Sequence, residues 1–322
     1  MRAARVSALD GPSSVEVVDV DEPTLSAGHV LVDVHEAGVN FPDVLMTKGL
    51  YQMKPDLPFV PGSECAGVVR EAAEGSAFAP GDRVAAFPIL GACAETVSVA
   101  ESMVFPLPDG VGFRAAAALL MNYLTVEFAL VRRGRLQPGE TVLVHGAAGG
   151  VGSAACQLAK ALGARVIAVV SSKDKQATAT ASGADDVVLA DGFLAATKEL
   201  TGGRGVDVVV DPVGGDRFTD SLRSLAVEGR LLVIGFTAGE IPTVKVNRLL
   251  LSNTSVVGVG WGAYWTNDPA SLRAQWDRIV PLLERGDLDP VLGTAHPLAD
   301  TGAALTEIDE RRALGKVTVT VR

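Results

Sequence analysis

Several things are scarce in this chain, and each scarcity excludes a class of protein. Only 3 cysteines occur in 322 residues. Cys65, Cys93 and Cys156 are odd in number and widely spaced. They read as small buried thiols in a reducing compartment, not as a disulfide framework, and the expected location is cytoplasmic. No apolar run in the sequence reaches the ~18 residues needed to span a bilayer, so no membrane span is expected. The opening MRAARVSALDGPSS lacks the apolar core of a signal peptide. The 4 histidines, His29, His35, His145 and His296, have no metal-ligand spacing. Each reads as a surface or locally hydrogen-bonded residue. No internal repeat or low-complexity stretch is present. Basic residues (28) are outnumbered by acidic ones (38), and a net charge of −10 argues against nucleic acid as a partner.

What is present describes a foldable globular chain, with 48% hydrophobic and 20% charged residues. Its length favours two domains. The most informative stretch is Thr141 to Ser172, TVLVHGAAGGVGSAACQLAKALGARVIAVVSS. Val142, Leu143 and Val144 form a short apolar run, as a buried parallel strand does. The chain then turns through Gly146, Ala147, Ala148, Gly149, Gly150, Val151 and Gly152. Apolar residues follow at Val151, Ala155, Leu158 and Leu162, which is helical spacing. Gly163 ends that helix, and 166–170 reads as a second strand. In such a βαβ unit Gly149 lets the backbone approach a pyrophosphate, and Gly152 lets the helix pack closely on the strand. The phosphates would sit on free N–H groups at the helix N-terminus. Ala147 replaces the first glycine of the usual G-x-G-x-x-G, so context carries the assignment. A Walker A loop is excluded, because no Gly-Lys-Ser/Thr closes the turn.

An NAD site usually has an acid at the end of the second strand, to bind the ribose 2′-hydroxyl. Here that position is Val170, followed by Ser171, Ser172, Lys173, Asp174 and Lys175. Hydroxyls and two lysines suit a 2′-phosphate, so NADPH is the expected cofactor. A second reading stays open: a serine caps the next helix and the lysines face solvent.

Before residue 120 the chain is β-rich and broken by turns, with pieces at 15–20, 30–34, 66–70, 83–87 and 94–99. A compact, mostly antiparallel, barrel-like domain is expected there. A helical pattern covers 113–132. Beyond Ser172 the spacing predicts helices over 173–182, 192–200 and 218–225. Strands are predicted at 186–189, 206–210, 230–234 and 255–259. With the two strands before them they make a six-stranded doubly wound parallel sheet. Helices over 269–285 and 303–312 and a strand over 317–321 close the chain, the last returning to the first domain.

These stretches together resemble the zinc-independent NADPH:quinone oxidoreductases of the medium-chain dehydrogenase/reductase superfamily. The likeness is carried by Gly38-Val39-Asn40-Phe41-Pro42-Asp43, Gly49-Leu50-Tyr51, Pro61 through Val69, the Gly146–Gly152 turn and Gly315-Lys316-Val317. It implies an α/β fold, with a GroES-like substrate domain over 1–122 completed by 263–322, and a Rossmann domain over 123–262. It also implies a cleft between them for NADPH and substrate, and a homodimer joined near 255–259. In zinc-dependent relatives a Cys stands in place of Asn40 and a His in place of Ser63, and the structural zinc loop retains here only Cys93. No metal is therefore expected. Hydride transfer to a quinone or an α,β-unsaturated carbonyl remains feasible, whereas alcohol oxidation is not expected.

By the same resemblance Asn40 lies beside nicotinamide and substrate, Tyr51 lines the mouth, and Thr125 lies near the nicotinamide ribose. The cofactor residues implied are Ala148, Gly149, Gly150, Val151, Gly152, Ser171, Ser172, Lys175, Val213, Gly235, Phe236, Thr237 and Arg311. Leu45 and Ala190 stand where some quinone reductases have tyrosines. Asn40 also reads as a turn residue ending a strand, and Tyr51 as a cap on apolar surface. Trp261, Tyr264 and Trp265 read as packed interface aromatics, or as residues shaping the cleft. Two other functions remain open: an enoyl-thioester reductase, and an NADPH-binding protein with little turnover.

Overall fold

A computed structural model describes residues 1–322. The chain divides into two compact units, one of 1–121, 272–276 and 292–322, the other of 122–271 and 277–291. The first boundary lies within the helical segment 113–133. That segment is long and apolar enough to cross a membrane by length and composition, although the sequence shows no run of purely apolar residues that long. Its most apolar window is 78% buried inside the protein, which marks it as a core helix. It contains two π-type stretches, Leu120–Leu124 and Phe128–Arg133.

Fifteen strands are present. In the first unit they are β1 (Arg2–Val6), β2 (Val15–Asp19), β3 (His29–Gly38), β4 (Glu64–Ala72), β5 (Arg83–Ala86), β6 (Thr96–Ala100) and β7 (Val104–Pro106). In the second come β8 (Thr141–His145), β9 (Arg165–Val170), β10 (Asp186–Leu189), β11 (Val206–Asp211), β12 (Leu225–Val233) and β13 (Ser255–Gly258). The chain then returns to the first with β14 (Leu292–Pro297) and β15 (Lys316–Thr320).

In the first unit the strand order is β14-β15-β3-β4-β5-β7, with β6 also paired to β3. Every pair is antiparallel except β14–β15. β1 and β2 form a separate hairpin. The core is small and β-branched: Val30, Val32, Val34, Val69, Val84, Val97, Val317 and Val319 are buried, as alternate residues of a half-covered sheet should be. The helix Phe41–Thr47 is not visible in the apolar spacing. Asn40 and Asp43 start it: the Asp43 carboxylate accepts the Asn40 backbone N–H at 2.8 Å, as in a capping box.

In the second unit six parallel strands run in the order β10-β9-β8-β11-β12-β13. The direction of winding reverses between β8 and β11, and that switch point is where such sheets bind ligands, outside the carboxyl ends of the strands. β12 begins at Leu225, five residues before the expected start, and the helix before it ends at Arg223. The sequence also leaves unmarked the helices Asn247–Ser252 and Trp261–Asn267.

The segment from residue 263 does not belong wholly to the first unit. Residues 263–271 and 277–291 pack with the second. Tyr264 stacks on Phe128 at 4.6 Å, and Arg278 pairs with the buried Glu127 at 2.7 Å. The Gln157 side chain bonds both the carbonyl of Asp289 (2.5 Å) and its N–H (3.0 Å). Between these, Trp276 packs on Phe105 at 5.4 Å, and Arg273 donates to the Val104 carbonyl at 3.0 Å, both within the first unit.

Candidate active site

The second unit assembles a crevice from the chain outward. β8 ends at His145 and Gly146 turns with φ +61°, a left-handed conformation suited to glycine. The helix Gly150–Ala161 starts at once, with Gly149 as its N-cap. A Cβ on Gly149 would meet only the Gly146 carbonyl oxygen, at 3.5 Å, so the backbone there is bare. A Cβ on Gly152 would lie 2.1 Å from that same oxygen. Gly152 therefore packs the helix against the turn itself, rather than against the strand. The N–H groups of Gly150, Val151 and Gly152 are in the first turn and have no intrahelical acceptor. With the helix dipole they form a seat for anionic phosphate. The Asn122 carboxamide lies against this turn, within 2.7 Å of where a Gly150 Cβ would be.

Two loops complete the crevice. After β11, Oδ1 of the buried Asp211 accepts the N–H groups of Val213 and Gly214, both at 2.9 Å. After β12, Thr237 N–H bonds the Pro212 carbonyl (3.2 Å) and Ala238 N–H the Val213 carbonyl (2.9 Å). Val213, Gly235, Phe236 and Thr237 are thus held together, and Val213 reaches the Gly146 turn. Ser171, Ser172 and Lys175 follow β9, the neighbouring strand. Ser172 precedes the turn Lys173–Lys175 without capping it through its side chain. The Asp174 carboxyl is held below its usual range, first by the Ser172 hydroxyl and also by Lys175. Thr125 is buried in the segment 113–133. These residues fit a dinucleotide.

His145 is one of the histidines held by a hydrogen bond rather than exposed at the surface. It is buried and neutral, with Nε2 2.8 Å from the Ser221 hydroxyl and its ring edge-on to Phe193 at 4.9 Å. Burial pushes its pKa down to about 4.

The remaining named residues belong to the first unit. Arg311 is exposed in a turn with φ +59°. Tyr51 is half-buried among Val6, Met46, Met53, Phe59 and Leu90, and burial with the nearby Asp43 raises its phenol pKa. Asn40 sits in a buried polar network. Its Nδ2 faces Glu64 Oε1 at 3.0 Å, and the Ser63 hydroxyl and Gly38 carbonyl at 3.3 Å each. Its Oδ1 accepts from the Lys316 ammonium at 2.6 Å. Lys316 also donates to Glu64 Oε1, while Glu64 Oε2 accepts the Met121 N–H at 2.9 Å. In the sequence Glu64 and Lys316 stand out only as parts of motifs. A charged pair inside otherwise apolar strands was the signal available.

Residues 26–133 match the family described as alcohol dehydrogenase GroES-like domain, and 150–284 the one described as zinc-binding dehydrogenase. The chain is 39% identical to quinone oxidoreductase-like protein 2 of Rattus norvegicus, over 100% of this chain and 92% of that one. A probable oxidoreductase from Mycobacterium abscessus superposes with TM-score 0.92 at 45% identity, covering 100% of this chain and 99% of that one. The quinone oxidoreductase of Thermus thermophilus, solved also in complex with NADPH, gives 0.87 at 36% identity over 100% of both. Fold and crevice define a two-domain, nucleotide-dependent oxidoreductase. The chain belongs to the quinone oxidoreductases of the medium-chain dehydrogenase/reductase superfamily.

The residues around Asn40 and Ser63 do not fit zinc. A carboxamide and a hydroxyl are poor ligands, no three His, Cys, Asp or Glu side chains converge anywhere, and a buried ammonium already holds Asn40 Oδ1 and Glu64.

The glycine geometry is tested by two substitutions. Gly149→Val should fold with a cooperative melt but lose dinucleotide binding by titration. Gly152→Val should lose stability by several kcal/mol, roughly 3 or more, from backbone overlap. A separate test concerns Asp43, whose pKa burial pushes up to about 7 from 3.8. The folded state then binds the proton more tightly than the unfolded one. Its contribution to stability is present below about pH 4 and lost as pH rises to about 7. Asp43→Asn should therefore raise the melting temperature at pH 8 and flatten its decline between pH 5 and 8, as scanning calorimetry would show.

Proposed function

We propose that this protein is an NADPH-dependent, metal-independent reductase of quinones or other conjugated carbonyl compounds. Two observations, one in each unit, carry the reading: a crevice suited to phosphate in the second, and in the first a buried polar network that offers no metal-ligand set. The solved relative from Thermus thermophilus, named a quinone oxidoreductase and complexed with NADPH, supports it.

When bound, the nicotinamide supplies a hydride. The chain's own residues bind, orient and exclude water. Gly149 leaves room for the pyrophosphate, and the N–H groups of Gly150 through Gly152 neutralise part of its charge. Val170 puts no carboxylate at the ribose 2′ position, and Lys175 offers a cation. Asp174 in the same turn opposes an anion, so Lys175 has to outweigh it. Asn40, Tyr51 and Thr125 are assigned to positioning of nicotinamide and acceptor. A homodimer joined along β13 is part of the proposal. That strand pairs only with β12, which leaves its outer edge open within the chain.

NADPH should bind tighter than NADH by tenfold or more, since a charge-assisted contact contributes about 1.5–3 kcal/mol. Lys175→Ala should weaken NADPH and leave NADH nearly unchanged; equal affinities for the two cofactors would refute the preference. A panel of naphthoquinones, enones, enoyl thioesters and simple alcohols tests the acceptor. Brisk alcohol oxidation, or no reduction of any conjugated acceptor, would overturn the reductase reading. Asn40→Ala should lower turnover by on the order of a hundredfold with little effect on NADPH affinity.

A further inference from the structure

The network around Asn40 leaves the hydrogen of the Ser63 hydroxyl without an acceptor in the protein. A lysine ammonium has only donors, so Lys316 must bond the oxygen end of the Asn40 carboxamide, as it does at 2.6 Å. That fixes the amide: Nδ2 faces Glu64 Oε1 and the Ser63 hydroxyl oxygen. Ser63 therefore accepts from Asn40, and its own hydrogen is released from the network. In the flipped amide Oδ1 would face Ser63 and capture that hydrogen. The Ser63 hydroxyl donates to no group of the protein. Ser63 is 5% exposed, so it is buried without being sealed.

We propose that the Ser63 hydroxyl is the hydrogen-bond donor to the acceptor's oxygen during reduction, with Lys316 as the positioning residue that, through Asn40, turns this donor outward. The inference rests on the reductase reading above. In the overall step the acceptor gains a hydride, hence two electrons, at carbon, and the dinucleotide is oxidised correspondingly. Negative charge develops on the acceptor's oxygen, which then takes one proton from water. Ser63 keeps its proton and stabilises the charge before that proton arrives, as a preorganised donor does.

Steady-state kinetics of the full chain with NADPH and a naphthoquinone test this. Ser63→Ala should lower kcat on the order of 100-fold, with the Kd for NADPH unchanged, and Ser63→Thr should restore most of it. Lys316→Met alone strands the buried Glu64 charge and risks unfolding, so the charge-neutral pair Glu64→Gln/Lys316→Met is used. There the introduced carboxamide keeps an oxygen toward the Met121 N–H and turns its amino group to Asn40, which must flip. The pair should melt cooperatively, lose kcat about as Ser63→Ala does, and lose less than about twofold more when Ser63→Ala is added.

Full activity in a folded Ser63→Ala variant would overturn the donor role. Multiplying losses in the triple variant would overturn the role of Lys316. Wild-type protein that binds NADPH yet reduces no conjugated acceptor would instead bring down the reductase reading, and this inference with it.

Discussion

The first unit depends on one buried ion pair. Lys316 is 3% exposed and Glu64 not at all, and they come from opposite ends of the chain, 252 residues apart. Removing two charges from water costs several kcal/mol each, and their mutual attraction offsets this only if the remaining donors and acceptors are also satisfied. Here most of them are met by specific groups. Glu64 takes the Met121 N–H and the Asn40 amide, and Lys316 takes the Asn40 oxygen. One pair thus fixes the first residue of β15, the first residue of β4, the cap of the helix Phe41–Thr47 and the end of the unit at residue 121. β15 also pairs with β3 through Thr318, Val319 and Thr320, so the ladder and the ion pair enforce the same register. A buried pair of this kind adds little net stability, and its value here is that it admits a single arrangement.

The second unit relies on steric contact rather than charge. Its constraint is the 2.1 Å that would separate a Gly152 Cβ from the Gly146 carbonyl. Helix and turn meet backbone to backbone, which brings the helix N-terminus to the carboxyl end of β8. The adjoining loops are pinned by Asp211, whose single oxygen organises two N–H groups and so shapes the wall formed by Val213. Asp211 and His145 end neighbouring strands. The neutral state of His145 avoids a buried imidazolium beneath a site whose positive potential comes from aligned N–H groups.

The second unit was largely legible in the sequence because parallel strands buried on both faces read as continuous apolar runs. Strand 186–189 needed no adjustment, and 206–210 gained one residue. β12 was harder, since its pairing with β11 jumps from Leu225 to Arg230 across an irregular stretch that holds Glu228, with φ +64°, and Gly229. In the first unit the strands are visible but extend further than their patterns: β3 runs to Gly38, beyond the apolar alternation, because β4 and β15 both pair with its end. The helix Phe41–Thr47 is too short for periodicity to show, and only its cap chemistry betrays it. The division of 263–291 between the units rests on side-chain contacts such as Gln157 with Asp289. A sequence cannot display pairs 132 residues apart.

The turn geometry of the glycines was legible because a missing side chain has few meanings, whereas Asn40 was ambiguous because its type fits both a turn at a strand end and a catalytic group. In the structure it stands between β3 and the helix Phe41–Thr47, as that helix's N-cap residue, with both ends of its carboxamide committed to neighbours. That changes what its chemistry can be. An amide with every hydrogen bond occupied has little left to offer a ligand directly, but it determines what the next group offers. Its orientation is set by a cation on one side and a carboxylate on the other, neither of which permits the reverse arrangement. Among the polar hydrogens left without a partner are the first-turn N–H groups of the helix at Gly150 in one unit and the Ser63 hydroxyl in the other; Arg5, Thr197 and Trp276 also bury unpaired donors. Nearly all buried polar groups in folded chains find partners, so a donor left over beside a bare glycine turn differs from one left over within a packed core: the first has open space for a ligand in front of it, as at Gly149, and the second does not.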